Sequence, residues 1–378
     1  MTNIFRKIKD ISQIGVADIS ASGISAIFWF YLATLIEPNI YGEISYLLSI
    51  ANIVSTISLL GASQSLLVYS AKKIQIHSVL YTLNFIIGVI SAIVVSLIID
   101  NFSIGLIVMG YIIFAIAYTD LLGKKNFRTY SVYLILQKVL MIIVSIGLFF
   151  AFGEKYIILG MALSFFIGCI PIFKTLKENK INLKIFKEKI NFTMFNYAHT
   201  ITATLHGTID KILIGPLFGF TLLGNYSLGL QFFTLLMIIP LIFGKYLVPQ
   251  DSMGNPNNKI KKIIIIISIG ISILGFTIGP EVITFFFPKF FEVGNIIRIV
   301  SLGVIPSTIT ITFRSKFLGM EKGNYVLITG VIRTIIMIFS VIILGGLFQV
   351  EGVAMGIVLS ATGASIFSFF MARRIKNG

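Results

Sequence analysis

The sequence predicts an all-α membrane protein with about twelve transmembrane helices in two pseudo-symmetric six-helix bundles. Hydrophobic residues make up 56% of the 378 residues and charged residues 12%, with a mean hydropathy of +0.97. A soluble domain carries about 25% charged residues. Apolar runs of about 20 residues, the length that crosses a bilayer as a helix, follow one another along the chain. Runs such as residues 263–267 lack the polar–apolar alternation of barrel strands, so helices are expected.

The twelve runs fall into two groups of six, separated by a basic stretch at residues 177–189. We expect an N-terminal lobe over residues 1–180 and a C-terminal lobe over residues 181–378. The predicted helices lie near residues 14–36, 43–68, 77–99, 103–122, 130–152, 156–176, 192–218, 222–247, 260–287, 294–313, 325–348 and 352–372. Within them, Pro240, Pro306 and Gly303 predict bends, because proline removes a helical hydrogen bond.

The basic residues predict the orientation of the chain. When the connections are assigned alternately to the two faces of the membrane, 23 of the 30 Lys and Arg residues fall on the side of the N-terminus. Positive charge is retained in the cytoplasm, so both termini are predicted to be cytoplasmic and the number of crossings even. The same distribution explains the net charge of +15 without a nucleic-acid partner, because the cations are spread over every cytoplasmic connection.

The sequence also argues against several other classes of function. It contains no phosphate-binding loop, and its single cysteine, Cys169, cannot form an intramolecular disulfide. No cluster of metal ligands is apparent, and we expect no cofactor. An enzyme such as a membrane glycosyltransferase would need a catalytic cluster in a sizeable outer loop. The stretch at residues 279–294 offers only Glu281, Lys289 and Glu292.

The two halves of the sequence repeat. At an offset of 182, Gly42 falls on Gly224. At an offset of 196 later in each half, Gly123 falls on Gly319 and Gly160 on Gly356, which fits longer connections in the second half. Six helices in each repeat give both repeats the same orientation, so the expected symmetry axis runs along the membrane normal.

Two segments resemble a known family. Residues 33–45, ATLIEPNIYGEIS, and residues 207–227, GTIDKILIGPLFGFTLLGNYS, resemble the polysaccharide-export branch of the multidrug/oligosaccharidyl-lipid/polysaccharide exporter superfamily. The second carries the Asp-basic pair at Asp210–Lys211, then Gly215 and the G-x-Y-S sequence that begins at Gly224. The resemblance implies two six-helix lobes, a central cavity, alternating access, and flipping of lipid-linked sugars from the cytoplasmic to the outer leaflet.

Two cations inside apolar helices are the main candidates for substrate binding. Lys138 in helix five and Arg333 in helix eleven lie at similar depths, and at an offset of 195 they are nearly equivalent in the two repeats. Intramembrane charge is costly, so each is a functional candidate for holding the pyrophosphate of an anionic, lipid-linked sugar. The alternative is that they reach the cytoplasmic headgroups, or pair with a polar neighbour such as Gln137.

Four further polar residues are candidates. His199 and His206 in helix seven could line a cavity, although a histidine in a transporter helix is often only hydrogen-bonded. Asp18 and Asp210 could bind a coupling cation or proton. For Asp210 the alternative is a local pair with Lys211 or a structural contact at the headgroup level.

We therefore expect a polysaccharide or lipid-linked oligosaccharide flippase without enzymatic activity in the cell membrane. Its expected partners are a lipid-linked saccharide, membrane lipids and enzymes of glycan biosynthesis. The alternative is a drug/cation antiporter of the same superfamily. An antiporter of this kind needs an acidic, partly aromatic cavity, whereas the intramembrane charges here lean cationic.

Overall fold

The computed structural model describes residues 2–72, 74, 76–178, 183–253 and 257–377, and every regular element in those ranges is helical. The α-helices are α1 (Thr2–Leu35), α2 (Pro38–Ser58), α3 (Ala62–Ala71), α4 (His77–Ile99), α5 (Phe102–Gly123), α6 (Phe127–Phe152), α7 (Ile157–Phe165), α8 (Cys169–Glu178), α9 (Leu183–Phe218), α10 (Phe220–Leu236), α11 (Ile238–Ser252), α12 (Asn258–Thr277), α13 (Gly279–Phe286), α14 (Val293–Leu302), α15 (Val304–Gly319) and α16 (Gly323–Asn377).

The all-α membrane fold is confirmed, and each of the twelve apolar runs is occupied by helix. In the described part of the chain, eight helices are long and apolar enough to cross a membrane, or ten if each of two bent pairs counts as one span. One of the eight, α16, is two helices joined at Gln349, where φ is 49°. This junction lies between predicted helices eleven and twelve. The 36-residue α9 occupies the run predicted as helix seven.

Several predicted helices are interrupted rather than continuous. The bends expected from Gly303, Pro240 and Pro306 are confirmed: α10 and α11 meet at 49°, and α14 and α15 meet at 40°. Both α10 and α14 end four residues before a proline. The missing N–H of that proline is the one that would have bonded to the last carbonyl of the preceding helix.

A different cause interrupts the second predicted helix, between α2 and α3. Leu60 and Gly61 have φ values of 46° and 75°, in the left-handed region that ends a helix. Glycine is required at residue 61 for a second reason, since a Cβ there would lie 3.0 Å from the backbone nitrogen of Tyr197. The apolar run therefore predicted the span but not its break.

The described chain groups into two compact units. Unit 1 comprises residues 1–28 and 47–204, and unit 2 comprises residues 29–46 and 205–378. The lobe boundary at residue 180 stays a prediction. Each unit has its own apolar core of fully buried side chains. Those of unit 1 include Leu66, Ile104, Ile107 and Met141, and those of unit 2 include Ile214, Leu223, Ile296, Val300 and Val341.

Close helix packing within each unit uses the glycines that repeat in the sequence. A Cβ at Gly123 in unit 1 would lie 2.7 Å from the carbonyl oxygen of Leu67. A Cβ at its counterpart Gly319 in unit 2 would lie 2.6 Å from the backbone of Asp251. Lipid supplies no hydrophobic force between helices, so close backbone approach is the usual source of packing in membranes. The repeated glycines therefore mark equivalent helix contacts.

Candidate substrate and ion site

Asp210 is held in a buried pair inside unit 2. Its carboxylate accepts a 2.6 Å hydrogen bond from the hydroxyl of Tyr226 and a 2.9 Å bond from the backbone N–H of Lys211. Asp210 is 7% exposed and Tyr226 is completely buried. Asp210 therefore contacts Lys211 through the backbone of Lys211. The G-x-Y-S sequence contributes Tyr226, so the two parts of the motif bond to each other.

Arg333, on α16, lies beside this pair. It is half-buried, and it interacts electrostatically with Tyr226 and Asp210. Its Nε is buried and has no hydrogen-bond partner among the described residues. A buried guanidinium nitrogen left without an acceptor is costly, and an anionic oxygen would satisfy it.

The predicted histidine His206 completes the cluster. It is half-buried on α9 and interacts electrostatically with Arg333. Its Nδ1 is also buried without a partner in the described chain. Unit 2 therefore links three predicted residues, His206, Arg333 and Asp210, by successive interactions, together with Tyr226, which the sequence analysis had not assigned. Two polar nitrogens of this cluster, on His206 and Arg333, have no hydrogen-bond partner among the described residues. The other predicted histidine, His199, has a side chain that lies outside the described residues, as does most of the basic stretch.

Lys138 belongs to unit 1. It is half-buried, and its Nζ lies 6.0 Å from the centroid of the Phe165 ring. The expected alternative partner, Gln137, is fully buried and donates instead to the hydroxyl of Ser164, at 3.0 Å. Among the described side chains, no carboxylate pairs with Lys138. At 6.0 Å the ammonium lies at the outer limit of a cation–π contact, and no described carboxylate balances its charge.

Asp18 is the remaining predicted residue. It is half-buried on α1 and accepts a 2.8 Å hydrogen bond from the hydroxyl of Tyr130 on α6. The carboxylate therefore ties two helices of unit 1 together.

A polar cluster around Asp120 was missed by the sequence analysis. This carboxylate is 2% exposed, at the end of α5. It accepts hydrogen bonds from Ser70 at the end of α3 and Tyr81 on α4, both at 2.7 Å. It also pairs with His77 at 3.0 Å and with Lys124 at 2.7 Å. The signal in the sequence was one carboxylate inside an otherwise apolar run.

Unit 2 contains a matching cluster around Asp251, at the end of α11. Its carboxylate pairs with Lys261 near the start of α12, with Nζ 2.7 Å from Oδ2, and accepts a hydrogen bond from Ser315 on α15. The helix ends that meet here are the counterparts of those that meet at Asp120. The carboxylate, however, comes from a different helix of the three. Each cluster joins three helices of its own unit, at helix ends that are equivalent in the two repeats.

Comparison with solved structures identifies the fold. An inward-facing multidrug resistance MATE family transporter of the MOP superfamily is 13% identical, with a TM-score of 0.76 over 97% of this chain and 98% of that one. Lipid II flippase MurJ in an inward closed conformation is 14% identical, with a TM-score of 0.79 over 95% and 87%. A MATE transporter from Vibrio cholerae is 12% identical, with a TM-score of 0.58 over 100% and 98%. The chain thus has the fold of MOP-superfamily membrane transporters.

The family follows from the sequence model that matches the chain. Residues 31–253 match the family described as polysaccharide biosynthesis protein. The chain belongs to this family, and so to the polysaccharide-export branch of the superfamily that the sequence motifs had indicated. A search of curated protein sequences gives no match.

Proposed function

We propose that this membrane transporter flips an anionic, lipid-linked oligosaccharide from the cytoplasmic to the outer leaflet by alternating access. The observation that carries the proposal is the cluster in unit 2, where Arg333 and His206 each keep a buried polar nitrogen without a partner. The polysaccharide biosynthesis family supports a saccharide cargo. MurJ, which shares the fold, is a lipid II flippase, and this supports a lipid cargo.

The site is suited to an anion rather than to a neutral sugar alone. A unit charge about 4 Å from a phosphate oxygen gains roughly 4 kcal/mol at an effective dielectric of about 20. Desolvation offsets much of this attraction, so a net contribution of about 1–3 kcal/mol from each cation is realistic. Asp210 holds Tyr226 in place and balances part of the charge of Arg333 before substrate arrives. We propose Lys138 as the matching cation of the other repeat.

Asp18 and Asp210 stay proposed as binding sites for a coupling cation or proton. Asp210 is the more enclosed of the two, and its carboxylate has donors from one hydroxyl and one backbone amide. The driving force would then act on the same cluster that receives the substrate. The proposed partners are membrane lipids and the enzymes that build the saccharide, and no catalytic step is assigned to this chain.

The alternative is a drug/cation antiporter, since the MATE transporters share the fold. The charges in the described helices argue against it. Among the described residues, neither Lys138 nor Arg333 has a carboxylate within salt-bridge distance, whereas Asp18 and Asp210 are each hydrogen-bonded to a tyrosine. A cavity for organic cations needs the opposite balance.

The test is translocation of a lipid-linked saccharide in vesicles, normalised to folded protein. Arg333→Gln and Lys138→Gln are expected to lower the rate about 5- to 150-fold, the range that about 1–3 kcal/mol gives. Arg333→Lys and Lys138→Arg should retain more activity than the glutamine variants. Arg374→Gln, which neutralises an exposed cation at the C-terminal end, is the matched control. Wild-type rates in both glutamine variants would place the substrate site elsewhere. Efflux of an organic cation without saccharide transport would favour the antiporter.

A further inference from the structure

Unit 1 contains an apolar cavity that none of the proposed transport steps uses. Its volume is about 280 Å³, and α4, α5 and α8 line it. The lining includes Tyr81, Phe85, Ile112, Cys169 and Phe173. Phe85 and Phe173 are 58% and 65% exposed, so the cavity opens on the outer surface of the helices. An exposed aromatic surface of this kind on a membrane-spanning helix suits contact with lipid.

The cavity offers a ligand no polar group. The hydroxyl of Tyr81 is donated to Asp120, and the hydroxyl of Thr82 is donated to the carbonyl of Ser78. The other lining side chains are hydrocarbon, aromatic, thioether or thiol. A hydrocarbon chain is therefore the chemical class that fits.

One end of the cavity meets a group of cations. Tyr81 bonds to Asp120, which pairs with Lys124, so two short contacts link the cavity wall to this ammonium. Lys124, Lys125 and Arg128 are all exposed at this end. Because α4 begins at His77, one turn before Tyr81, the cavity starts close to the end of the helices. The site therefore has an apolar part directly beneath a cationic part. These two parts match the hydrocarbon chain and the negative headgroup of an anionic phospholipid.

We infer that this cavity binds an acyl chain of an anionic phospholipid, whose phosphate lies against Lys124, Lys125 and Arg128. In the proposed orientation, the lipid belongs to the cytoplasmic leaflet. The acyl chain leaves one apolar medium for another, so the preference for this lipid comes from its headgroup. A cation near the membrane surface favours an anionic lipid by about five-fold.

The test uses brominated lipids, which quench tryptophan at short range. In a Trp29→Phe background, Phe85→Trp places one reporter at the cavity. Val132→Trp is the control reporter, because Val132 is 54% exposed near the same end of α6 but does not line the cavity. The full chain is reconstituted with brominated phosphatidylglycerol or brominated phosphatidylcholine.

The cavity reporter should be quenched at a three- to ten-fold lower mole fraction of phosphatidylglycerol than of phosphatidylcholine, and the control reporter at similar fractions of both. Combining Lys125→Asn with Arg128→Gln should reduce the preference, because only Lys124, which already pairs with Asp120, then remains. Asn is chosen at residue 125 because its φ of 58° tolerates Asn. Cys169→Phe should weaken quenching by both lipids by filling the cavity.

Three results would overturn the inference. The first is equal quenching by both lipids at the cavity. The second is the same preference at Val132→Trp, which would show a general surface charge effect. The third is displacement of the brominated lipid from the cavity by a polyprenyl phosphate at a lower mole fraction than by phosphatidylglycerol. That result would make the occupant a prenyl chain. None of these results depends on transport, so the proposed function stands or fails separately.

Discussion

Gly42 and Gly224 pack against each other within unit 2, and each faces the carbonyl oxygen four residues before the other. A Cβ at Gly42 would overlap the oxygen of Phe220, and a Cβ at Gly224 would overlap the oxygen of Pro38. The two contacts exchange under the offset of 182 that relates the repeats in the sequence. Such a reciprocal contact defines a local two-fold relationship.

This contact predicts that Gly42→Ala and Gly224→Ala each destabilise the protein. The position of the added methyl group is occupied by backbone atoms rather than by a flexible side chain. Overpacking of this kind costs about 1–3 kcal/mol. Thermal unfolding in detergent should show a lower Tm for both variants. Gly147→Ala and Gly346→Ala are the controls, because nothing lies within 4 Å of a Cβ at either residue. Equal Tm values for all four variants would contradict the close approach.

A second prediction concerns the carboxylate that joins three helices in unit 1. Asp120→Asn removes the negative charge with which Lys124 and His77 both pair. Breaking a buried pair of this kind costs about 3–5 kcal/mol. The melting temperature should fall well below that of the wild type. Asp100→Asn is the matched control, since Asp100 is an exposed helix-capping residue with φ of 55° that Asn also tolerates. A similar small effect in both variants would mean that the cluster contributes little to stability.

A third prediction tests the bond inside the family motif. Tyr226→Phe leaves the buried carboxylate of Asp210 one donor short, which costs about 1–3 kcal/mol. The double variant with Asp210→Asn should lose less than the sum of the two single variants, because the residues are in direct contact. Tyr246→Phe, at a half-exposed position, is the control. Additive losses would show that the hydrogen bond is not energetically significant.

The pKa of Glu292 gives a pH dependence. Burial, and then the nearby charge of Glu351, raise the pKa of this carboxyl above its ordinary value. An acid whose pKa is raised by folding destabilises the folded state where it is ionised, and the cost disappears as pH falls through the folded pKa. Glu292→Gln should therefore raise Tm at pH 8, and the difference should vanish by about pH 4. Asn295 is not substituted in this experiment, because its side-chain N–H donates a hydrogen bond to the carboxylate of Glu351. A Tm difference that is independent of pH would exclude this origin.

The predicted orientation is tested by labelling. After Cys169→Ala, a membrane-impermeant thiol reagent applied from outside should reach Glu154→Cys and miss Arg128→Cys until the membrane is opened. Both native side chains are exposed, so neither cysteine is hidden by packing. The expectation rests on the basic residues, which are retained on the cytoplasmic side. The opposite pattern would reverse the topology.

The spans could be predicted from the sequence because an apolar run of about 20 residues has few other uses. The bends at Pro240 and Pro306 could be predicted for an equally local reason, the missing N–H. The break at Leu60 and Gly61 could not, since it depends on contact with a segment more than 130 residues later.

The site was predicted only in part. Residues costly to bury in lipid, such as Arg333 and Asp210, stand out in any apolar run. Their partners do not, because Tyr226 is an ordinary residue for a membrane helix until its contact with Asp210 is known. The cluster at Asp120 was missed for the same reason. Its donors Ser70 and Tyr81 lie 50 and 39 residues away and are unremarkable in sequence.

The reciprocal contact of Gly42 and Gly224 bears on how a chain of two repeats could arise. A contact that is the same when viewed from either member needs only one kind of surface. Two separate copies of a six-helix polypeptide could therefore form it as a homodimer, before any duplication joined them. Fusion of the two genes would leave the contact unchanged. The two repeats would then be free to diverge elsewhere, as Asp120 and Asp251 have done by occupying different helices of the same junction.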